Sequence, residues 1–195
     1  VNHGEMVCLT IGGYSSGYGG IVGSLAGKGS RVTKCYNDAK ITGYLVVGGI
    51  AASAGDGTTI ESCYNAGDLM IRQINGYKQG LGGILGVSGG DASDVTVQDV
   101  YNVGKITALE GYGGSSAAGV GGIVAYIRNS AEITNAYNAG TVTVGGATVH
   151  GSVLGYAYKN TCKVSNCYWL EGTDDAMFSG KYVAITGVDT PASTS

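Results

Sequence analysis

The chain has 195 residues, of which 37 are Gly and one is Pro; hydrophobic residues make up 44% of it and charged residues 13%. That apolar content is too high for a disordered chain, and Gly without a Pro-rich triplet pattern excludes collagen. The net charge is −3 and the eleven Lys and Arg residues are scattered singly, which leaves no basic stripe for a phosphate backbone. No apolar run approaches the ~20 residues of a membrane helix. We expect a folded domain that binds no nucleic acid and does not insert into a membrane.

Two short motifs alternate along the chain. Gly-Gly-Ile occurs at 19–21, 48–50, 82–84 and 121–123, and Tyr-Asn follows each copy, at 36–37, 64–65, 101–102 and 137–138. A weaker fifth copy runs from Gly151-Ser152-Val153 to Tyr168-Trp169. Self-similarity at intervals of this length, ~20–50 residues, predicts a solenoid, propeller or array.

Alignment of the copies on the motif tyrosine predicts which positions are inside. Aliphatic or small side chains stand four residues and one residue before Tyr, and aliphatic side chains stand five residues after it. Two consecutive polar columns separate the first two, so strict strand alternation is expected to break there at a bend or bulge. Each repeat is predicted to supply two or three short strands. The three inward columns are Val32, Ile60, Val97, Ile133, Val164; Cys35, Cys63, Val100, Ala136, Cys167; and Ile41, Leu69, Ile106, Val142.

The Gly-Gly-Ile half predicts a further strand whose Ile faces the core. Because side chains alternate along a strand, the next column is predicted to point away from the core. It would form an aliphatic stripe that meets solvent or is covered by a loop. The stripe comprises Val22, Ala51, Leu85, Val124 and Leu154.

Three polar columns support the same register. Signs alternate along Glu5, Lys40, Asp68 and Lys105, which favours these residues as neighbours on one exposed face of adjacent strands. The Asn column fits a stack of side-chain amides at a turn, and its role is expected to be structural. The motif tyrosines are most simply a stacked architectural ladder. The Asn column is Asn2, Asn37, Asn65, Asn102 and Asn138.

These patterns predict an all-β fold, a parallel β-solenoid of about five coils. Right-handedness is expected because crossovers between parallel strands nearly always have that hand. One domain is predicted over 1–188, with repeats near 1–17, 18–45, 46–75, 81–112, 120–148 and 149–170, a cap over 170–188, and a Thr/Ser/Pro linker over 189–195. The first residues match Tyr64-Asn65-Ala66-Gly67, so further repeats are expected upstream.

At the Gly-Gly-Ile-Val and Tyr-Asn-Ala-Gly patterns the sequence resembles the GLUG-motif repeats over about Val1 to Leu170. Such repeats occur in large secreted or surface-anchored bacterial proteins, including adhesin-like proteins and some IgA-cleaving peptidases. The resemblance implies a bacterial extracellular or cell-surface location and a repeat architecture. It implies no active site, since the peptidases keep their catalytic residues in a separate domain. The departures from the pattern are Ser152 and Trp169.

Candidate catalytic and metal-binding groups are sparse. His3 and His150 lie about four coils apart without a metal or nucleophile spacing, and we interpret both as structural. The acids at Asp91, Asp94 and Asp99 near one loop, and Asp174-Asp175 in the cap, are either solvated surface or a weak Ca²⁺ site. We therefore predict no catalytic residues, no cofactor and no bound metal, and a domain that is not an enzyme.

Five cysteines are present, which is an odd number for an extracellular protein. Cys35, Cys63 and Cys167 fall in one inward column. Adjacent strands lie ~4.8 Å apart, within reach of a disulfide, yet a ladder of buried thiols is the favoured interpretation. Whether Cys162 is a free thiol or part of a disulfide is open in the same way. A zinc site in a buried column is not expected.

Tyrosine is in excess, with 14 copies. Tyr14, Tyr18, Tyr77 and Tyr112 fall in Gly- and Ser-rich loops and are the candidate ligand-binding residues, because Tyr supplies rigid amphipathic contact area. The alternative is that they cover coil edges. The function expected is a monomeric structural or adhesive module that binds a host or matrix protein or a glycan. The alternatives are a carbohydrate-binding module that uses these loop tyrosines, and an accessory domain of a secreted peptidase.

Overall fold

The computed structural model describes residues 1–8, 17–72, 79–89, 94–109, 118–145, 149–159, 161–172 and 183–185. All strand pairing in it is parallel and links a strand of one coil to the equivalent strand of the next. The fold is a parallel β-solenoid, as predicted. No helix among these residues is long and apolar enough to cross a membrane.

Four sheets run along the solenoid. The first contains β2 (Gly17–Gly19), β7 (Val46–Gly48), β12 (Gln79–Gly82), β16 (Ala118–Gly121) and β20 (His150–Gly151). The second contains β3 (Val22–Leu25), β8 (Ala51–Ala54), β13 (Leu85–Ser88), β17 (Val124–Ile127) and β21 (Leu154–Ala157).

The other two sheets carry the Tyr-Asn half. The third contains β4 (Arg31–Thr33), β5 (Tyr36–Asn37), β9 (Thr59–Glu61), β10 (Tyr64–Asn65), β14 (Val95–Asn102), β18 (Ala131–Asn138), β22 (Cys162–Trp169) and β23 (Val183–Ile185). The fourth contains β1 (Glu5–Val7), β6 (Lys40–Gly43), β11 (Leu69–Ile71), β15 (Ile106–Ala108) and β19 (Val142–Val144). A regular coil thus crosses four sheets, more than the two or three strands predicted.

The inward columns are confirmed in the middle of the stack. Ile60, Ile84, Ile106 and Ile133 have no exposed surface. Side chains of the second and third sheets form one core, those of the first and fourth sheets form another, and a small third cluster around Ala52 and Val87 lies between the first and second sheets. In the first coil Val32 and Cys35 are only partly buried.

The prediction for the aliphatic stripe is wrong. Ala51, Leu85, Val124 and Leu154 are fully buried in the same core as the Ile column, and Val22 packs against it. The cause is a corner of the coil at the Gly-Gly-Ile turn, where the N–H groups of both Ile84 and Leu85 donate to the carbonyl of Ile123. The coils stay in one-to-one register across this corner, from Gly82↔Gly121 to Leu85↔Val124, but strand alternation is interrupted there and both side chains enter the core.

The predicted break in the Tyr-Asn half is confirmed. Its second polar residue has a left-handed backbone, with φ of 54° at Asp99 and 52° at Asn135. The pairing passes from Gln98↔Thr134 to Val100↔Ala136, so this residue is left out of the ladder. Non-Gly residues seldom adopt this conformation, although Asn and Asp tolerate it best. The break repeats at Lys34, Ser62 and Asn166.

The Asn column forms a continuous ladder of buried amides, as predicted. Each Nδ2 donates to Oδ1 of the next Asn, at 2.8, 2.7, 2.8 and 2.8 Å from Asn2 through to Asn138. In Asn37 to Asn138 the same nitrogen also donates to the carbonyl two residues on. Buried polar groups that are satisfied in this way fix one geometry at the corner between the third and fourth sheets.

The two halves of the repeat meet at this corner. The second Gly of each Gly-Gly turn lies against the amide of the motif Asn, so closely that a Cβ built on Gly83 would stand 2.7 Å from Cγ of Asn102. The same contact joins Gly20 to Asn37. No side chain larger than hydrogen fits there without moving backbone, which explains why these two short motifs recur together.

The charge column is also in register. Glu5 pairs with Lys40 across β1 and β6, and their side chains form an ion pair of 3.5 Å. Asp68 and Lys105 follow on the next two coils, where the Asp68 carboxylate accepts a hydrogen bond of 3.0 Å from the backbone N–H of Lys105. All four are exposed, as predicted.

At the far end, β23 pairs with β22 and so adds a parallel strand to the last coil. Val183–Ile185 fall within the segment predicted as a cap, and the cap itself stays a prediction. The rest of the cap and the linker, including Asp174 and Asp175, lie outside the described residues.

Candidate functional site

The outer face of the third sheet is the largest regular surface on which the repeat presents polar and aromatic side chains together. We call it the tyrosine face. Four outward columns cross it. They are Arg31, Thr59, Thr96, Glu132, Lys163; Thr33, Glu61, Gln98, Thr134, Ser165; the bulge column Lys34, Ser62, Asp99, Asn135, Asn166; and the motif tyrosines Tyr36, Tyr64, Tyr101, Tyr137, Tyr168.

The tyrosine rings stack in the first three coils. Tyr36 and Tyr64 have centroids 4.9 Å apart and planes 1° apart, and Tyr64 and Tyr101 follow at 4.7 Å and 3°. Desolvation raises the pKa of the Tyr64 phenol, and the neighbouring phenols of Tyr101 and Tyr36 add to that rise. The Tyr64 phenol therefore remains a neutral hydrogen-bonding group at physiological pH. This part of the column is the architectural ladder that the sequence predicts.

The stack ends at Tyr101. The backbone of Tyr137 is in register with that of Tyr101, yet among the described residues their rings do not stack. Tyr101 is also the most exposed motif tyrosine, at 41%. The side of its ring that faces the fourth coil is thus not covered by a stacked ring, unlike both sides of Tyr64.

The bulge column becomes a hydrogen-bonded network in the third to fifth coils. Asn135 donates to Oδ1 of Asp99 at 2.8 Å, and Asn166 donates to Oδ1 of Asn135 at 3.3 Å. A shallow surface depression beside them is lined by Asn135, Ala136, Tyr137, Asn166 and Tyr168. Aromatic rings and planar polar groups are therefore adjacent on a rigid sheet.

The remaining columns are linked mainly along the stack. Arg31 pairs with Glu61 at 2.8 Å, and the other carboxylate oxygen of Glu61 accepts from Gln98 at 3.1 Å. Ser165 donates to the hydroxyl of Thr134 at 3.1 Å. These contacts hold exposed side chains in fixed positions and leave the tyrosine face without a large charge of either sign.

Only one of the four candidate ligand-binding tyrosines lies among the described residues. Tyr14, Tyr77 and Tyr112 lie outside the described residues, so their binding role stays a prediction. Tyr18 does not lie in a loop: it belongs to β2, packs against the core between the first and fourth sheets, and its hydroxyl lies 2.8 Å from Sγ of Cys8. The Gly-rich sequence before it hid the strand, whose register is fixed by pairing with Val46–Gly48.

Titratable groups are dispersed in the part of the chain that is described. No group of three or more His, Cys, Asp or Glu there could hold a metal ion. His3 lies 2.6 Å from Asp38 and edge-on to Tyr36. Asp99 sits on strand β14 rather than in a loop with Asp94, because the bulge sets it within the sheet. Asp91 lies outside the described residues.

All five cysteines are free thiols in the structure. The backbone N–H of Cys35 donates to Sγ of Cys63 at 3.4 Å. Burial raises the pKa of Cys162 to about 12 and that of Cys167 to about 11. Because a neutral thiol is a poor nucleophile, neither residue is suited to catalysis at neutral pH.

Comparison with known proteins bears on the fold. No family model and no curated protein matches the chain. The crystal structure of a putative immunoglobulin A1 protease from Bacteroides ovatus is similar, with a TM-score of 0.66 and 24% sequence identity. The match covers 92% of this chain and 53% of that one, so the present chain spans about half of that protein's length. At this identity the likeness shows the fold alone.

The sequence predicts the motif tyrosines as an architectural ladder and places the candidate ligand-binding tyrosines in loops. The difference between the third and fourth coils could not be read from the sequence, because Tyr-Asn is present in both. The bulge column does differ between coils in the sequence: the first two coils have Lys34 and Ser62, and the last three have Asp99, Asn135 and Asn166. A change toward planar polar groups in the later coils marks where the surface differs.

Proposed function

We propose that this chain is a non-catalytic repeat module of a bacterial secreted or cell-surface protein, in which it acts as a stalk or an adhesive spacer. The observation that supports this role is the buried amide ladder from Asn2 to Asn138. The residues that define the repeat are used to join one coil to the next. A stack joined in this way resists bending and sets a fixed distance between whatever lies at its two ends.

The proposal includes a location outside the cell and a partner that is a host or matrix protein or a glycan. The domain acts as a monomer. Its exposed surface is mostly uncharged and polar, which suits a partner that is not strongly charged.

The second candidate is an accessory domain of a secreted peptidase. It is favoured by the match of this chain to about half of the putative Bacteroides ovatus protease, since the rest of that protein lies beyond the match. In this case the module would position a substrate for a catalytic domain elsewhere.

One binding experiment separates the two. The purified chain is immobilised and exposed to immunoglobulin A1, fibronectin, collagen and serum albumin, and each mixture is then analysed by mass spectrometry for cleavage. The stalk or adhesive role predicts intact proteins and no preference for immunoglobulin A1. Selective capture of intact immunoglobulin A1 would favour the accessory domain, whereas cleavage by the chain alone would contradict both proposals.

A further inference from the structure

We propose that the tyrosine face at the third to fifth coils is a binding site for a neutral oligosaccharide. The site is centred on Tyr101 and Tyr137, with Asp99, Asn135 and Asn166 beside them. It is separate from the loop tyrosines, and it does not depend on the role of the module as a stalk.

The aromatic part of the site follows from how the ring stack ends. Tyr64 has a stacked ring on each side, at 4.9 and 4.7 Å, so both of its faces are used within the protein. Tyr101 has such a ring only on the side of Tyr64. Its other face, together with the ring of Tyr137, offers an apolar surface to a flat ligand. The C–H face of a pyranose ring is such a ligand, and Tyr can contact it at little entropic cost because it has few rotatable bonds.

The polar part of the site follows from the bulge. Left-handed backbones at Asp99, Asn135 and Asn166, with φ of 54°, 52° and 50°, place three planar polar groups outside the ladder. Asn135 donates one N–H to Asp99 at 2.8 Å, and Asn166 donates one N–H to the side-chain oxygen of Asn135 at 3.3 Å. A second carboxylate oxygen on Asp99 and a second N–H on each amide are left to bond sugar hydroxyls. Both donors and acceptors are thus present, which hydroxyl groups require.

The side chains of the proposed site are held in place before a ligand binds. The third sheet holds these residues on β14, β18 and β22; β14 and β18 are paired on both sides, and β22 is paired with β18 up to Trp169. The network fixes the amide planes before any ligand arrives. Binding then costs little ordering of side chains, which raises the affinity available from a shallow site.

Other ligand classes fit this face less well. A peptide cannot add as a further strand beside Tyr101 or Tyr137, because β14 and β18 are paired with a strand on each side. A nucleic acid or an acidic glycan would meet the carboxylates of Asp99 and Glu132, with Lys163 as the nearby cation. A neutral glycan has no such repulsion and uses both the ring faces and the hydrogen-bonding groups.

The test is binding of cello-, xylo-, manno- and chito-hexasaccharides to the full chain by isothermal titration calorimetry. We expect at least one to bind, and we expect Tyr101→Ala with Tyr137→Ala to weaken that binding by about 10-fold or more. Asn135→Ala should weaken it by roughly 3-fold or more through lost hydrogen bonds. The matched control is Tyr36→Ala, which removes a ring of the same column that does not touch Tyr101 and should leave the affinity unchanged.

A second measurement does not depend on variants that fold. With Tyr ring carbons labelled, the binding hexasaccharide should shift the NMR signals of Tyr101 and Tyr137 and leave those of Tyr36 in place. Failure of all four hexasaccharides to bind would overturn the proposal. So would binding that survives the Tyr101 and Tyr137 double variant, or shifts confined to other tyrosines. None of these results would alter the stalk proposal, which rests on the coil contacts.

Discussion

The regular coils and the last coil differ at two positions that touch each other. In the regular coils the second residue of the turn is Gly, and it lies against the motif Asn: Gly122 contacts Asn138 in this way. In the last coil Ser152 stands at the Gly position and Trp169 at the Asn position. Trp169 is in register with Asn138 and packs against the main core.

The comparison teaches that two neighbours require the second Gly: the motif Asn of its own coil and the turn carbonyl of the next coil. Where both are present, as at Gly83 with Asn102 and Gly122, the turn cannot carry a Cβ without a shift. In the last coil the amide is lost and the described residues include no further Gly-Gly turn, and Ser152 is accommodated there, fully buried with no hydrogen-bond partner for its hydroxyl in the structure. The amide ladder also ends at this coil, because Trp169 has no carbonyl oxygen in its side chain to accept from Asn138.

The largest loss of stability is expected when the Ser of the last coil replaces the turn Gly of a regular coil. Gly83→Ser places a Cβ against the backbone carbonyl of Gly122 and against Asn102, so adjacent coils must separate. We expect a loss of about 4 kcal/mol or more in the free energy of unfolding, measured by urea denaturation. The matched change is Ser152→Gly, which should cost less than about 1 kcal/mol because it removes a buried hydroxyl without a partner. Equal losses would contradict the coupling.

The next largest loss of stability is expected from a substitution in the amide ladder. Asn102→Ala removes the hydrogen bond that its Oδ1 accepts from Asn65 and the two that its Nδ2 donates, to Oδ1 of Asn138 and to the carbonyl of Gly104. Loss of these three buried hydrogen bonds should lower the free energy of unfolding by about 3 kcal/mol. Asn166→Gly is the control, since it removes an exposed amide whose hydrogen bond is 3.3 Å and Gly accepts the left-handed backbone there. If both variants unfold at the same urea concentration, the ladder is not what holds the coils together.

Thiol ionisation distinguishes the last coil at alkaline pH. In the folded protein the pKa values of Cys162 and Cys167 are about 12 and about 11, against 9.0 ordinarily. Above pH 9 the unfolded chain loses these protons while the folded chain keeps them, so stability falls as the pH rises toward 11. The fall should be roughly 2 kcal/mol per thiol by pH 11.

The measurement is urea denaturation at pH 8 and pH 11 for the protein and for Cys162→Ala with Cys167→Ala. Ionisation of Tyr and Lys affects both proteins alike, so their difference isolates the two thiols. The double variant should show the smaller decline. A decline of the same size in both proteins would show that these thiols do not stay protonated in the folded state.

The smallest effect is expected on the exposed charge column. Lys40→Ala removes the 3.5 Å ion pair with Glu5. The Lys40 side chain is 53% exposed and the Glu5 side chain is 56% exposed. Solvent screening limits the loss to about 0.5 kcal/mol, and 1 M salt should abolish the difference. Thermal denaturation at low and high salt checks this. A loss comparable with that of Asn102→Ala would mean that charge, rather than the amide ladder, sets the register.

Much of the fold could be predicted because the repeat supplies several independent columns. The apolar columns, the alternating charges and the amides all gave one register, and the bulge could be inferred from two consecutive polar columns. The aliphatic stripe could not be assigned correctly, since the corner at Ile84 and Leu85, which interrupts strand alternation, depends on hydrogen bonds to the next coil. Tyr18 was misplaced for a similar reason: its strand is defined by pairing, and its local sequence has the composition of a loop.

The sequence by itself determined that this protein stacks coils, which columns of the Tyr-Asn half face inward, and that Asn and Gly-Gly-Ile recur together. Repetition carries that information, because stacking places the same residue type at the same place in each coil. Only the tertiary structure decided that Gly and Asn touch, that the tyrosine stack stops at Tyr101, and that Asp99, Asn135 and Asn166 form a network beside it. The Gly–Asn contact joins the two halves of one coil, and the stack and the network join side chains about 30 to 40 residues apart, whose contacts form when one coil packs on the next.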